Sequence, residues 1–279
     1  MTKISVLLSL FSKEKALYLD RSIQSIWNDQ ERKPDEIVLV EDGPLTNELE
    51  EVVKKWQNAI SVMKVVKLDK NQGLAIALNE GIKHCIGDYI ARMDTDDISL
   101  PNRFLLQENY LDTHPEVILV GGGIIEFNDE EGELNPRMMP ATTKDVRDTI
   151  SKSAPFCHPA VMFRRKLFDD GFYYNPKCRR AQDWELWFRV MAAGYEVANL
   201  PKVIIKFRKD PYLYQKRKNS SWLEFKVSMK GTYQVFGLFS WRYIFPIIHY
   251  LFRQLPPSLS QKIYNKFILS YWQKKNYAE

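Results

Sequence analysis

The chain has 279 residues, 45 % hydrophobic and 27 % charged, a composition that fits a folded globular protein and excludes a disordered or collagen-like one. Cys85, Cys157 and Cys178 are widely spaced and form neither a zinc-ligand pattern nor a disulfide framework, so a reducing compartment is expected. The net charge of +5 hides an asymmetry: residues 1–201 hold 25 Lys or Arg against 32 Asp or Glu, and residues 202–279 hold 15 against 3.

The elements follow in chain order. "ISVLLSL" (4–10) reads as a first buried strand. It superficially resembles a signal peptide but lacks a small-residue cleavage site and is followed at once by charges. Residues 15–27 read as an amphipathic helix with Leu19, Ile23 and Ile26 on one face. A short strand at 36–40 stops at "EDGP". A helix at 46–56, a strand at 61–68 and a helix at 73–85 follow. A fourth strand at 88–93 runs into Asp94, Asp96 and Asp97. Residues 101–114 have the Pro punctuation of a helix. This alternation predicts an α/β fold with a mostly parallel central sheet flanked by helices.

Beyond residue 117 the pattern changes. Short strands are expected at 117–120 and 124–127 around "GGG", with a hairpin turn at "NDEEGE", a loop at 136–145, a short helix, a strand at 160–163 and a helix at 182–193. From about residue 219 the chain reads as a basic, aromatic-rich helical appendage. We place its boundary at 215/216, giving units 1–215 and 216–279. Residues 232–252 are apolar over nearly a spanning length, yet contain Arg242, Pro246 and His249. Aromatic-plus-basic composition favours an interfacial helix on a membrane surface over a span or a buried helix. No recognised nucleic-acid module accompanies the charge, so nucleic acid is not an expected partner. A final basic helix is expected after Pro256-Pro257.

The chemistry gathers at strand ends. Asp94-Thr95-Asp96 alternates across an extended backbone, so two carboxylates can point the same way. That pair suits a hard divalent cation, Mn2+ or Mg2+, which takes its remaining ligands from phosphate and water; the bland alternative is a solvated acidic turn. The first strand ends with Ser9, Phe11 and Ser12, and the second with Glu41 and Asp42. In a parallel sheet these ends share one edge and line one crevice. No Gly-rich phosphate loop is present.

Taken in order, "ISVLLSLFSKEKALYLDRSIQSIWNDQ", "PDEIVLVEDGP", "NQGLAIALNEGIKHCIGDYIARMDTDDISLPNRF", "HPAVMFRRKLF" and "AQDWELWFRV" resemble family 2 glycosyltransferases of the GT-A fold. The resemblance is closest to bacterial exopolysaccharide or capsule enzymes of the amylovoran type. It implies an inverting, metal-dependent transfer of a sugar from a nucleotide-sugar donor, a UDP-sugar, to a hydroxyl of a saccharide acceptor, one carried on a membrane lipid. The setting implied is the cytoplasmic face of the cell membrane. Asp42 matches the base-binding Asp, with Ser9 beside the uracil and Phe11 and Glu41 near it. Asn71, Gly73 and Asn79 match a segment flanking the donor, though helix start and packing explain them equally. Asp96 matches the metal ligand, Asp94 a shared ribose and metal contact, and Asp97 a loop support. Asp183 matches the catalytic base. His158 reads either as a contact to diphosphate or metal or as a satisfied core histidine. Arg208 reads either as a phosphate contact or as a solvated strand end. Trp184 and Trp187 offer a stacking face to an acceptor sugar, or core packing. The sequence departs from the family pattern at Ser12, Glu41 and Gln182. A sugar nucleotidyltransferase would need a Gly-rich loop near the first strand, and a processive synthase a Q-x-x-R-W segment; neither is found. A non-catalytic nucleotide- or membrane-binding module is the remaining alternative.

Overall fold

The computed structural model describes residues 2–129, 132–209, 213–256 and 258–260. The first half alternates as expected: β1 (Ile4–Leu10), α1 (Ala16–Trp27), β2 (Glu36–Glu41), α2 (Asn47–Ala59), β3 (Met63–Lys67), α3 (Leu74–His84) and β4 (Tyr89–Met93). Then come β5 (Ile98–Ser99), α4 (Arg103–Thr113), β6 (Val117–Asn128), β7 (Gly132–Arg137), α5 (Thr143–Thr149), β8 (Met162–Arg164), α6 (Lys166–Asp169), α7 (Gln182–Ala192) and β9 (Glu196–Arg208). Two helices, α8 (Leu213–Phe236) and α9 (Ile244–Gln254), complete the described chain.

One sheet runs β3-β2-β1-β4-β8-β6-β9-β5, with β7 paired to β6. The pairs among β1–β4 are all parallel. Beyond β4 the sheet is mixed: β8 is antiparallel to β4 and β6, whereas β6 and β9 run parallel. Strand alternation divides the core into two layers. Ile4, Val6 and Leu8 of β1 join Leu19 and Ile23 of α1 and Leu49 and Val53 of α2 on one face. Leu7, with Val38 and Val40 of β2, meets Leu78 of α3 and Leu186 of α7 on the other.

Two departures have local causes. The "GGG" segment does not separate two strands; it lies inside the continuous β6. A Cβ at Gly122 would come within 2.6 Å of the Ile204 side chain, and one at Gly123 within 2.7 Å of Met138 Sδ. The glycines let β9 cross closely where its register shifts. β9 is a 13-residue strand that hydrophobic alternation does not announce, because Pro201 and Lys202 interrupt it.

The tail packs differently from its expected form. Residues 232–252 are not one helix: α8 ends at Phe236, Gly237 turns at φ 76°, and a 3₁₀ turn (Trp241–Tyr243) precedes α9. Thr232 and Val235 are buried, and Gly231 lies so close to α7 that a Cβ there would sit 2.1 Å from the Phe188 ring. One face of the end of α8 is therefore buried in the core, while Tyr233 on the other stays exposed. No helix of the described residues is long and apolar enough to cross a membrane. The basic helix expected after Pro256 falls largely outside the described residues.

Candidate active site

Registers Leu10↔Glu41 and Leu8↔Met93 bring the carboxyl ends of β1, β2 and β4 to one sheet edge. On its β2 side, Asp42 is buried and its two carboxylate oxygens accept the N–H groups of Gln72 (2.7 Å) and Gly73 (2.9 Å). The Asn71 amide donates to the Asp42 carbonyl at 3.3 Å. Gly43, at φ 88°, allows this closeness; a Cβ there would meet the Asn71 backbone nitrogen at 2.5 Å. Glu41 pairs with Lys67 at 3.0 Å. Ser9 and Phe11 are half-buried at the end of β1. Asn79 does not join this group. Its amide donates to the Tyr174 carbonyl (2.8 Å) and its oxygen accepts the Tyr174 N–H (2.9 Å). Both ends of the side chain are spent bracing α3 to the loop before α7, which favours its packing role over a donor contact.

On the β4 side, carboxylate oxygens of Asp94, Asp96 and Asp97 all lie within 4.8 Å of one another. Burial, then the charge of Asp94, pushes the Asp96 carboxyl up to about 6. Asp97 is raised well above its ordinary value by burial and by both neighbours. Its Oδ1 accepts the Arg208 N–H at 2.7 Å, while its buried Oδ2 has no partner. Crowded carboxylates with an orphaned oxygen are the donor set that a hard divalent cation fits. The loop is held from both sides. Ser22 of α1 donates to the Asp94 carbonyl at 2.9 Å, and Arg208 Nε donates to the Asp96 carbonyl at 2.9 Å. Arg208 is buried, against the expectation of a solvated strand end. Its guanidinium lies 3.7 Å from the Tyr18 ring centroid and 4.4 Å from that of Phe127, and pairs with Asp129 at 2.8 Å.

A cavity of about 800 Å³ runs from Asp94 and Asp96 past His158 to Asp183 and Trp184. Asp183 occupies the first turn of α7, where free backbone N–H groups favour a carboxylate. The residue before this helix, Ala181, is left-handed at φ 54°, a conformation costing a non-glycine residue about 1 kcal/mol. That turn aims the start of α7 into the cavity. Burial raises the Asp183 carboxyl, opposed by the Trp184 N–H and by the charge of Arg92. His158 Nε2 shares a 2.8 Å hydrogen bond with the Tyr174 hydroxyl. Burial, aided by Arg92, depresses its pKa well below the usual histidine value, so it is neutral. Trp184 lines the cavity with its indole N–H bonded to the Ile150 carbonyl at 2.9 Å. Trp187 is wholly buried and stacks on Phe163, so of the two tryptophans one is core.

Ser9, Phe11, Glu41, Asp42 and Asn71 lie outside the cavity walls, as does Gly73, although its neighbour Leu74 is part of them. Two features escaped sequence reasoning. Arg92 is buried on β4, is ion-paired with Asp94, and lines the cavity; a lone arginine inside an apolar strand was the available signal. The far wall comes from the tail: Ser220 and Glu224 of α8, His249, Phe252 and Arg253 of α9. No local pattern marks these.

The sequence profile of glycosyl transferase family 2 matches residues 5–172. The chain belongs to glycosyl transferase family 2. One relative, the amylovoran biosynthesis glycosyltransferase AmsE of Erwinia amylovora, is 36 % identical over 270 residues, covering 94 % of this chain and 98 % of the relative. The Escherichia coli UDP-Gal:alpha-D-GlcNAc-diphosphoundecaprenol beta-1,3-galactosyltransferase is 29 % identical over 95 % of this chain and 96 % of its own. Among solved structures, the mannosyltransferase PcManGT of Pyrobaculum calidifontis, in complex with GDP-Man and Mn2+, superposes with a TM-score of 0.64. The identity is 14 %, with 99 % of this chain and 84 % of that one covered. At that identity the likeness concerns the fold, and it agrees with the GT-A architecture expected for a family 2 member.

Proposed function

We propose that this family 2 member is an inverting transferase acting in surface polysaccharide synthesis. It moves a sugar from a UDP-sugar to a hydroxyl of a saccharide acceptor carried on a membrane lipid, at the cytoplasmic face. The observation that carries this reading is one cavity with carboxylates of two kinds in its walls. Asp94 and Asp96 stand at the end of β4, and Asp183 stands apart at the start of α7.

The division of labour follows from chemistry. Asp183 accepts the proton of the acceptor hydroxyl as its oxygen forms the new bond to C1, and the bond from C1 to the diphosphate breaks on the opposite face. Its raised pKa makes it a stronger base than a solvated carboxylate. Asp96 and Asp94 would hold Mn2+ or Mg2+, which when bound neutralises charge on the departing diphosphate. Asp42, braced by the Gln72 and Gly73 N–H groups, keeps lone pairs for a base imide, with Ser9 and Phe11 beside it and Glu41 and Asn71 behind. His158, neutral and tied to Tyr174, presents a fixed polar edge, and Trp184 an apolar wall, between donor and acceptor. The UDP and lipid-linked assignments take their support from the galactosyltransferase relative, and the metal from the acid cluster.

Asp183→Asn is the test. Transfer, measured as UDP release with acceptor present, should fall by at least about a thousandfold, while UDP binding stays within about twofold of wild type. Full turnover by this variant would refute the assignment of the base. A thermal-shift panel of UDP-, GDP- and dTDP-sugars with and without Mn2+ tests the donor; preference for GDP would overturn it.

A further inference from the structure

One face of the tail is unexplained by packing. At the turn after α8, Leu238, Phe239 and Trp241 are 65, 98 and 69 % exposed. On α9, Ile244, Ile247, Ile248 and Leu251 are all exposed, and their spacing is that of one helical stripe. A soluble surface rarely leaves so many large apolar side chains contiguous. The opposite side of the same helix is occupied. Pro246 is buried, and His249, Phe252 and Arg253 wall the cavity. His249 also packs edge-on to Trp184, with ring centroids 5.9 Å apart, next in sequence to Asp183. Only the width of a helix, about 10 Å, therefore separates the exposed stripe from the acceptor half of the cavity.

We infer that the exposed face of the 238–251 segment lies in the headgroup layer of an anionic bilayer, with α9 parallel to the surface, and sets the acceptor end of the cavity at the lipid boundary. A bilayer is favoured over a protein partner by charge and composition. Residues 237–255 contain no carboxylate. Of their two arginines, Arg242 is paired with Asp148 and Arg253 faces the cavity beside Glu224. The cationic charge of this face is therefore that of Lys152 and, next in sequence, of Lys262, Lys266, Lys274 and Lys275. Lys152 stands exposed beside Phe245 of α9, 5.2 Å from its ring centroid. Aromatic and aliphatic side chains on a cationic surface are the composition of interfacial helices. This rests on the reading of a lipid-linked acceptor, and sharpens it: the membrane contact is α9 and the turn before it, not α8, and the helix that touches lipid is also a wall of the acceptor site.

Flotation of the full chain with vesicles, without donor or acceptor, tests this separately from catalysis. Wild type should float with vesicles of phosphatidylglycerol and phosphatidylcholine and much less with phosphatidylcholine alone. The double variant Phe239→Glu, Ile248→Glu replaces two exposed side chains, so its thermal midpoint should be unchanged. Its vesicle partition should fall at least about tenfold. UDP release with a saccharide diphosphate on a short alkyl chain should stay within about twofold, and transfer to the same saccharide on a prenyl carrier in vesicles should drop. Wild type remaining in solution, or a variant floating as well as wild type, overturns the inference. So does a wild-type dimer, seen by sedimentation, that the variant splits while neither floats, since a second copy would then be the occupant. Asp183→Asn should float normally, so failure of the catalytic assignment is distinguishable from failure of the membrane face.

Discussion

Asp96→Asn should make the metal-free protein more stable at neutral pH while removing its stabilisation by metal. Burial and Asp94 lift the Asp96 carboxyl from 3.8 to about 6. Because the folded state holds this proton more tightly than the unfolded chain, stability falls as pH rises between those values. The penalty is absent below pH 4 and complete above pH 6. Roughly two pH units at 1.36 kcal/mol each correspond to about 3 kcal/mol. The repulsion is shared with Asp94, and an amide among carboxylates is imperfectly bonded, so about half, ~1.5 kcal/mol, should be recovered. For a chain of this size that is about 2.5 °C in thermal midpoint. Thermal unfolding in chelator at pH 7.5 and pH 4 is the assay. The variant should gain at pH 7.5 and not at pH 4, and Mn2+ should raise the midpoint of wild type at pH 7.5 but not that of the variant. A variant no more stable at pH 7.5, a gain persisting at pH 4, or full Mn2+ stabilisation of the variant would each refute the reasoning.

Asn79→Ala removes both bonds to the Tyr174 backbone and should cost about 1–3 kcal/mol, read as a lower urea midpoint; a raised KM for donor with stability intact would instead show that Asn79 contacts donor. Gly231→Ala drives a Cβ into Phe188, and should cost about 1–3 kcal/mol, seen as a lower thermal midpoint despite alanine's better helix propensity. The acid limb of kcat/KM should titrate above the ordinary Asp value, because the base must be ionised and burial raises Asp183. A limb at or below pH 4 would show that another group is the base.

The first half of the fold was legible because β1, β2 and β4 are short, mostly apolar segments between turn residues and the helices carry a three-to-four spacing, from Ile4 to Met93. Legibility declined where tertiary packing overrides pattern. "GGG" reads as a break, but is space reserved for β9 beside Ile204 and Met138. The 232–252 run reads as one amphipathic unit, but Gly237 splits it into a buried half and an exposed half. At the site, Asp42, Asp94 and Asp96 stood out because a carboxylate at a strand end has a distinct local setting, whereas Asp183, locally an ordinary first-turn helix residue, stood out only through the family resemblance. Arg208 was a candidate, but its burial was not legible, since it depends on Tyr18 and Phe127, which approach it from distant parts of the chain. The walls from α8 and α9 were invisible for the same reason: His249 meets Trp184 only through the packing of α7, α8 and α9.

Arg92 shows how the two halves of the site depend on each other. Alternation along β4 turns Ile90 toward the α7 layer, and Arg92 follows it two residues on, with Asp94 next in the same phase. The guanidinium is buried, paired with Asp94, and has two nitrogens without partners. Its charge lowers both Asp96 and Asp183, opposing the burial that raises them, and helps to keep His158 neutral. A neutral side chain at this position would leave Asp183 protonated over a wider pH range and sharpen the repulsion among the three aspartates. One buried cation therefore serves two demands: an ionised Asp183 on α7 and a charged cluster on β4. A strand with a purely apolar face would meet neither.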